Sequence, residues 1–326
     1  MYRIITVAIL VVSGALTAIY LPGAQAYGAA PNVTGMLLPR ISDYNIFTGD
    51  PVNLTPGNGF QVYELATGLF TDHAEKQRLI KIPAGLALTA TNDGLPQFPD
   101  GTILVKTFYY FNDKTDPSGG KRLIETRLMI KNNGQWLAGT YVWNNDQTDA
   151  VPGTNGSNIV ISWIDEQAST RKITYRIPAA RDCASCHNTG NSLMPVGPKI
   201  RNLNRDVLRN NKSVNQLQYL QEAGILNAVN PNRFSRLPDW QNESYPLPER
   251  VRAYLDVNCA HCHSDEGSCA RSAVRFGWEV PFADTRISAK KNRIISLMEK
   301  GSMPRTGTTT VDTKALSLIK KCFQVQ

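Results

Sequence analysis

The sequence predicts an α+β chain: an N-terminal antiparallel β domain followed by a helical domain. Three observations carry this. Between about residues 58 and 180, short runs rich in β-branched and aromatic residues recur, separated by glycine, proline and asparagine clusters. After Pro178 the periodicity becomes helical. Two Cys-x-x-Cys-His patterns, at Cys183 to His187 and Cys259 to His263, both lie in this later part.

The β elements come in order. Thr102–Tyr110, Arg122–Lys131, Trp136–Trp143, Asn158–Asp165 and Arg171–Ile177 read as strands. Asn133-Gly134 between the second and third is a hairpin signal. Strands at this spacing suggest a sandwich or barrel. Next, Ser213-Val-Asn-Gln216 reads as a capping box opening a helix that stops at Gly224. Prolines 231, 238, 246 and 248 mark an extended linker. Helices are expected at Glu249–Val257, running into Cys259, and at Lys291–Lys300 and Thr313–Phe323. A helix into Cys-x-x-Cys-His, a long wrap, a Met-Pro at Met303-Pro304 and a terminal helix is an order similar to the small class I cytochromes c. The expected divisions are 1–26 as signal peptide, 27–180 as β domain, 181–248 as first motif with helical linker, and 249–326 as class I-like cytochrome c domain.

The first division rests on Arg3, the uncharged run Ile4–Leu21 and the small-x-small site Ala24-Gln25-Ala26, which together read as an export signal cleaved after Ala26. Export implies the periplasm. No later stretch approaches the length of a membrane span. The net charge of +8 is scattered, which excludes a nucleic-acid reading and favours an acidic redox partner protein.

The cysteines carry the chemistry. Cys-x-x-Cys-His is the attachment pattern of haem c. Two thiols three residues apart meet the two vinyl groups on one porphyrin edge, and the following histidine offers its imidazole to iron. Two such motifs predict two covalent haems, on Cys183, Cys186 and His187 and on Cys259, Cys262 and His263. Zinc would not ask for the trailing histidines, and a thioredoxin-like pair wants an alternating strand–helix context. The sixth ligand decides function, because iron held by His and Met passes electrons whereas an open iron binds small molecules. Met303, 40 residues beyond His263, is the candidate for the second haem, with Met298 its competitor. For the first haem Met194, His73 and an open position remain alternatives. Cys269 and Cys322 are left over and, in an oxidising compartment, are expected to pair. Electron transfer is therefore the expected role. The alternative is an oxidoreductase working at an open first haem with the second as electron exit.

Several stretches resemble a family of bacterial periplasmic dihaem c-type cytochromes of largely unassigned function. They include Leu69-Phe-Thr-Asp72, Phe98-Pro-Asp-Gly-Thr102, Ile124-Glu-Thr-Arg-Leu128, Tyr141-Val-Trp-Asn144, Gly197-Pro-Lys199 and Tyr254 to His263, spread over most of residues 60–263. The chain departs from that family in a shorter loop from the second motif to the Met. A looser similarity is to small periplasmic cytochromes that oxidise hydroxylamine and carry a lysine-linked haem. It implies Lys106 as linking residue and Glu125 as a distal acid.

Overall fold

Six consecutive strands form an antiparallel meander in a computed structural model that describes residues 37–189, 192–305 and 307–324. They are β1 (Gln61–Val62), β2 (Glu75–Lys81), β3 (Ile103–Phe111), β4 (Lys121–Asn132), β5 (Gln135–Trp143) and β6 (Ala150–Pro152). A separate hairpin of β7 (Ser157–Ile164) and β8 (Thr170–Ile177) follows. The expected signal segment and its cleavage site lie outside the described residues. The β4–β5 turn is Asn133-Gly134, with φ of 49° and 75°, the left-handed pair that a type I′ turn requires.

Side chains alternate across the sheet, and both faces are covered, which is why β3 reads as an almost unbroken apolar run. On one face Ile103 and Val105, Leu128 and Ile130, and Tyr141 and Trp143 pack beneath the N-terminal segment around Ile41, Tyr44 and Ile46. The other face carries two apolar patches. Ile80, Leu104 and Met129 meet the helical segment around Ile200, Leu203, Leu217 and Leu220. Phe108, Tyr110 and Ile124 meet the β7–β8 hairpin through Trp163, Tyr175 and Ile177. A register shift at Phe108/Tyr109 leaves Ile124 without a paired residue and turns it into the second patch. Each such large buried apolar side chain contributes roughly 1.5–3 kcal/mol.

The remaining elements are short. They are α1 (Ala180–Cys186), the two-residue strands β9 (Asn188–Thr189) and β10 (Ser192–Leu193), α2 (Ile200–Leu203), the hairpin β11 (Asp206–Arg209) and β12 (Lys212–Asn215), α3 (Gln216–Glu222), α4 (Leu247–Asn258), α5 (Ile287–Glu299) and α6 (Thr313–Gln324). The cap of α3 is Asn215, whose side chain accepts from the Leu217 amide. Ser213, expected to cap it, is instead paired in the β11–β12 hairpin.

The expected fold class is corrected here. The structure is β-rich, a six-stranded antiparallel sheet with a few short helices, and among the described residues it holds no helical class I cytochrome c domain. Residues 33–326 pack as one compact unit. The reason is polar as well as apolar: the 63–72 segment serves as a common spine. Asn202 brackets Thr67 through both backbone groups, and Gln216 brackets Glu64 likewise. Asn258 at the end of α4 accepts from the Phe70 amide at 2.7 Å. Asp72 accepts from the backbone and hydroxyl groups of Thr309 and Thr310, 2.7–2.9 Å away. Arg201 on α2 donates to Asp256 on α4 at 2.9 Å, with the two side chains 3% and 1% exposed. A buried pair of this kind is intolerant of losing either member. No described helix is long and apolar enough to cross a membrane.

Candidate functional site

Both Cys-x-x-Cys-His segments make the same turn at the end of a helix. The His187 amide donates to the Cys183 carbonyl at 2.9 Å, and the His263 amide to the Cys259 carbonyl at 3.0 Å. One helical turn thus stacks first cysteine, second cysteine and histidine along one side. In the first motif the turn continues α1, whose start is tied by Asp182 accepting from the Ala179 amide. In the second it continues α4. Gly267 seats the chain after that turn, because a Cβ there would lie 2.3 Å from the Cys262 carbonyl oxygen.

Around the first motif, the His187 Nδ1 donates to the Met194 carbonyl at 2.9 Å. That bond fixes the tautomer and leaves Nε2 with the free lone pair, the arrangement a metal-ligating imidazole uses. Burial pushes His187 down to about 4, so the ring is neutral at pH 7. Burial also raises the Cys183 thiol. Cys183, Cys186 and His187 open onto a cavity of about 170 Å³, whose opposite wall is the sheet, through Leu104, Lys106, Arg127, Met129 and Thr140.

The second motif faces a roomier cavity of about 560 Å³, within the ordinary range of ligand pockets. Cys259, Cys262 and His263 line it together with Phe276, Ile294, Leu297, Met298 and Met303. Burial pushes the Cys259 thiol up to about 12. His263 lies edge-on to Phe276, and burial lowers its pKa. Its Nδ1 is buried with no hydrogen-bond partner. Unlike His187, this ring has no hydrogen bond in the structure to fix its tautomer, and its unpartnered buried nitrogen is left open to a ligand. The thiol and imidazole donors of both motifs suit an iron-bearing group, and the size and mainly apolar wall of the second cavity suit a flat, apolar one.

The two motifs touch. The Cys262 sulfur donates to the Ser185 carbonyl at 3.5 Å. The Cys186 sulfur, a His261 nitrogen and the Cys262 sulfur lie within 4.8 Å of one another. The hydrogen bond with Cys186, and then burial, raise the Cys262 thiol.

Of the residues named from sequence, Cys183, Cys186 and His187 gather at one cavity, and Cys259, Cys262, His263 and Met303 at the other. Met298 lines the second cavity beside Met303, so both thioethers are at hand there. Met194 serves His187 through its carbonyl. His73 is exposed, against Phe70 and Trp163, and does not line the first cavity, whereas Met129 does. Cys269 and Cys322 are not bonded to each other. Cys322 is buried on α6 in the apolar cluster, while Cys269 turns back to the second motif, its amide donating to the Cys262 carbonyl at 2.9 Å. Glu125 is no free acid: it is fully buried, accepts two bonds from Arg127 at 2.6 and 3.0 Å and one from the Tyr175 hydroxyl at 2.6 Å. Sequence reasoning missed His261, which counted only as a filler of the motif. It also missed the cross-strand row that sets Arg78, Arg127 and Thr140 beside Lys106, since strand register is not written in any one segment. No family model, no curated protein and no solved structure matches the chain.

Proposed function

We propose that this chain is an exported dihaem c-type cytochrome, a periplasmic protein that passes electrons through two covalently held haems to and from a redox partner protein. The carrying observation is the twin turn: two Cys-x-x-Cys-His segments in one backbone geometry, each opening its cysteines and histidine onto its own cavity. Each thiol would add across a vinyl group, sulfur to one carbon and hydrogen to the other, with nothing released. Cys183 and Cys186 would hold one group and Cys259 and Cys262 the other. His187 and His263 would each ligate an iron, and Met303 would take the second iron's remaining position. Bound haem supplies a reversible one-electron change at iron.

The protein's own residues do the rest. Met194 holds the His187 ring in the tautomer that presents Nε2. Phe276, Ile294 and Leu297 exclude water from the second cavity, which favours the less charged, reduced state. Cys186 and Cys262 are in contact, so the residues that would hold the two groups meet at one point, and electron exchange between the groups would be favoured by that closeness. The basic excess of +8 suits an acidic partner. The resemblance to periplasmic dihaem cytochromes agrees with this reading. The enzyme alternative, chemistry at an open first iron, draws on the sheet wall of the first cavity, where Arg78, Lys106, Arg127 and Thr140 stand.

One observation favours a different reading. Cys186, His261 and Cys262 could together hold a single zinc-like ion, making the chain a metal-stabilised binding module. The two readings part in one experiment. The purified protein, boiled in detergent, retains two haems per chain by mass and shows a c-type spectrum on reduction. Retention of one haem or none, or zinc in their place, overturns the proposal. Carbon monoxide added to the reduced protein binds one haem if the first iron is open and neither if both are six-coordinate.

A further inference from the structure

The sheet face toward the first motif carries a straight line of like charges. Arg78 on β2 is the direct cross-strand partner of Lys106 on β3, which is the partner of Arg127 on β4, which is the partner of Thr140 on β5. Direct partners point to the same face, so four polar side chains stand abreast between the two apolar patches. All four line the cavity with Cys183, Cys186 and His187.

Like charges on neighbouring strands destabilise a sheet. Among the described residues only Arg127 is compensated, by Glu125. Lys106 has no ion pair and no side-chain hydrogen bond. Its ammonium lies 4.8 Å over the Phe108 ring, on which the Arg127 guanidinium also sits at 4.4 Å. Arg78 has none either; the nearby Glu64 is taken by Arg209 at 2.9 Å. A second, independent observation points to the same place. Thr140 is 5% exposed, and its hydroxyl oxygen has no hydrogen-bond partner. Three cations and a spare hydroxyl around one recess are the donors an oxyanion needs.

We propose that the recess formed by Arg78, Lys106, Arg127 and Thr140 binds a small free oxyanion beside the first motif. Lys106 and Arg78 supply the charge, Thr140 a neutral donor, and Arg127, already anchored on Glu125, a fixed direction. Burial and the neighbouring cations Arg78, Arg127 and Lys76 hold the Lys106 ammonium well below its ordinary range, a penalty that an arriving anion relieves. The haem's own carboxylates are the competing source of anionic oxygen. In a haem they lie on the edge opposite the vinyl groups, and Arg127 lines the same cavity as the vinyl-binding thiol of Cys183. The row therefore belongs to the thioether end, which leaves it for a free ligand. That the anion would act as a substrate or modulator of the first haem rests on the dihaem reading; its binding does not.

Calorimetric titration of the purified protein, its haem content measured in parallel, with inorganic phosphate, sulfate and nitrate at low chloride tests this. At least one of the three saturates a single site. Lys106→Gln, Arg78→Gln and Thr140→Val each weaken binding roughly tenfold or more, while Arg236→Gln, at a surface ion pair elsewhere, leaves it unchanged. Thermal melts identify any variant that fails to fold, and the remaining variants then carry the comparison. No saturable binding by the native protein, equal binding in all folded variants, or a structure with the haem carboxylates on Arg78 and Lys106 overturns the inference. A saturating titration of protein without haem defeats the dihaem proposal and keeps this one; two haems without saturation does the reverse.

Discussion

The two Cys-x-x-Cys-His sites share a backbone turn and differ in almost everything around it. The first is a helix end laid against a sheet: its histidine is oriented by a carbonyl at 2.9 Å and its far wall is charged. The second sits among α4, α5 and the loop to α6, its imidazole Nδ1 is unpartnered, and its wall is mainly aliphatic, aromatic and thioether, with the exposed Lys290, Arg293 and Arg305 beside them. The motif dictates how a cofactor is attached. The walls dictate what the attached centre can do, and they come from residues far away in sequence. An apolar wall with two methionines suits an electron-transfer centre, whereas a cationic wall suits one that meets a ligand.

The sharpest way to break this comparison is to remove one site. Cys259→Ala with Cys262→Ala should leave one haem of two, counted by mass after boiling, with the first motif still loaded. Next in size is the joint between the sites. Asp256→Asn should lower stability by about 3 kcal/mol in denaturant titration, because Arg201 is left buried with only the exposed Glu279. Burial opposes the Asp256 charge, but Lys199, Arg201 and the Trp278 amide outweigh it and hold its pKa below the ordinary value. A depressed carboxyl stabilises fully above its unfolded pKa of about 4 and loses that contribution as pH falls through the lower folded value. The native protein should therefore lose stability below about pH 4, and the Asp256→Asn variant should show less of that loss.

A finer test concerns the second wall alone. Met303→Ala should lower one of two reduction potentials by on the order of 0.1 V, a modest part of the ~0.8 V range that axial ligands command, and leave the other in place. Should Met298→Ala do so instead, the ligand is the neighbouring thioether. The smallest expected effect is at the loop below that site. Asp72→Asn weakens five bonds to Thr309 and Thr310 and should cost about 2 kcal/mol, with the second haem's spectrum perturbed more than the first's.

Local chemistry made much of this legible in the sequence. The strand read at Thr102–Tyr110 is Ile103–Phe111, that at Trp136–Trp143 is Gln135–Trp143, and the helix read at Thr313–Phe323 is Thr313–Gln324. Alternation, capping and the Asn-Gly turn act within a few residues, so one segment contains its own answer. Strand Glu75–Lys81 escaped because five of its seven residues are charged or amide, and their burial depends on what lies opposite. Likewise nothing within their own strand tells that Tyr141 and Trp143 lie on the sheet face away from the first motif, in the core around Tyr44. The helical domain failed for a related reason. The helices are where their periodicity puts them, but Asn258 and the Thr309-Thr310 loop find their partners in the 63–72 segment, and Asp256 finds its partner on α2. Nothing in a helix's own sequence announces that.

The Asp72 contact with Thr309 and Thr310 spans 237 and 238 residues. Closure of so long a loop comes late in folding, after local structure has formed. It also sets the limits of interchange. A fragment starting near Leu247 would carry the second motif but leave behind the partners of Asn258, Asp256 and the threonine loop, and the remaining chain would keep Asp72 and Arg201 with nothing to satisfy them. The second Cys-x-x-Cys-His site is thus not a cassette that recombination could lift into another protein; it would be inherited with the β scaffold or not at all.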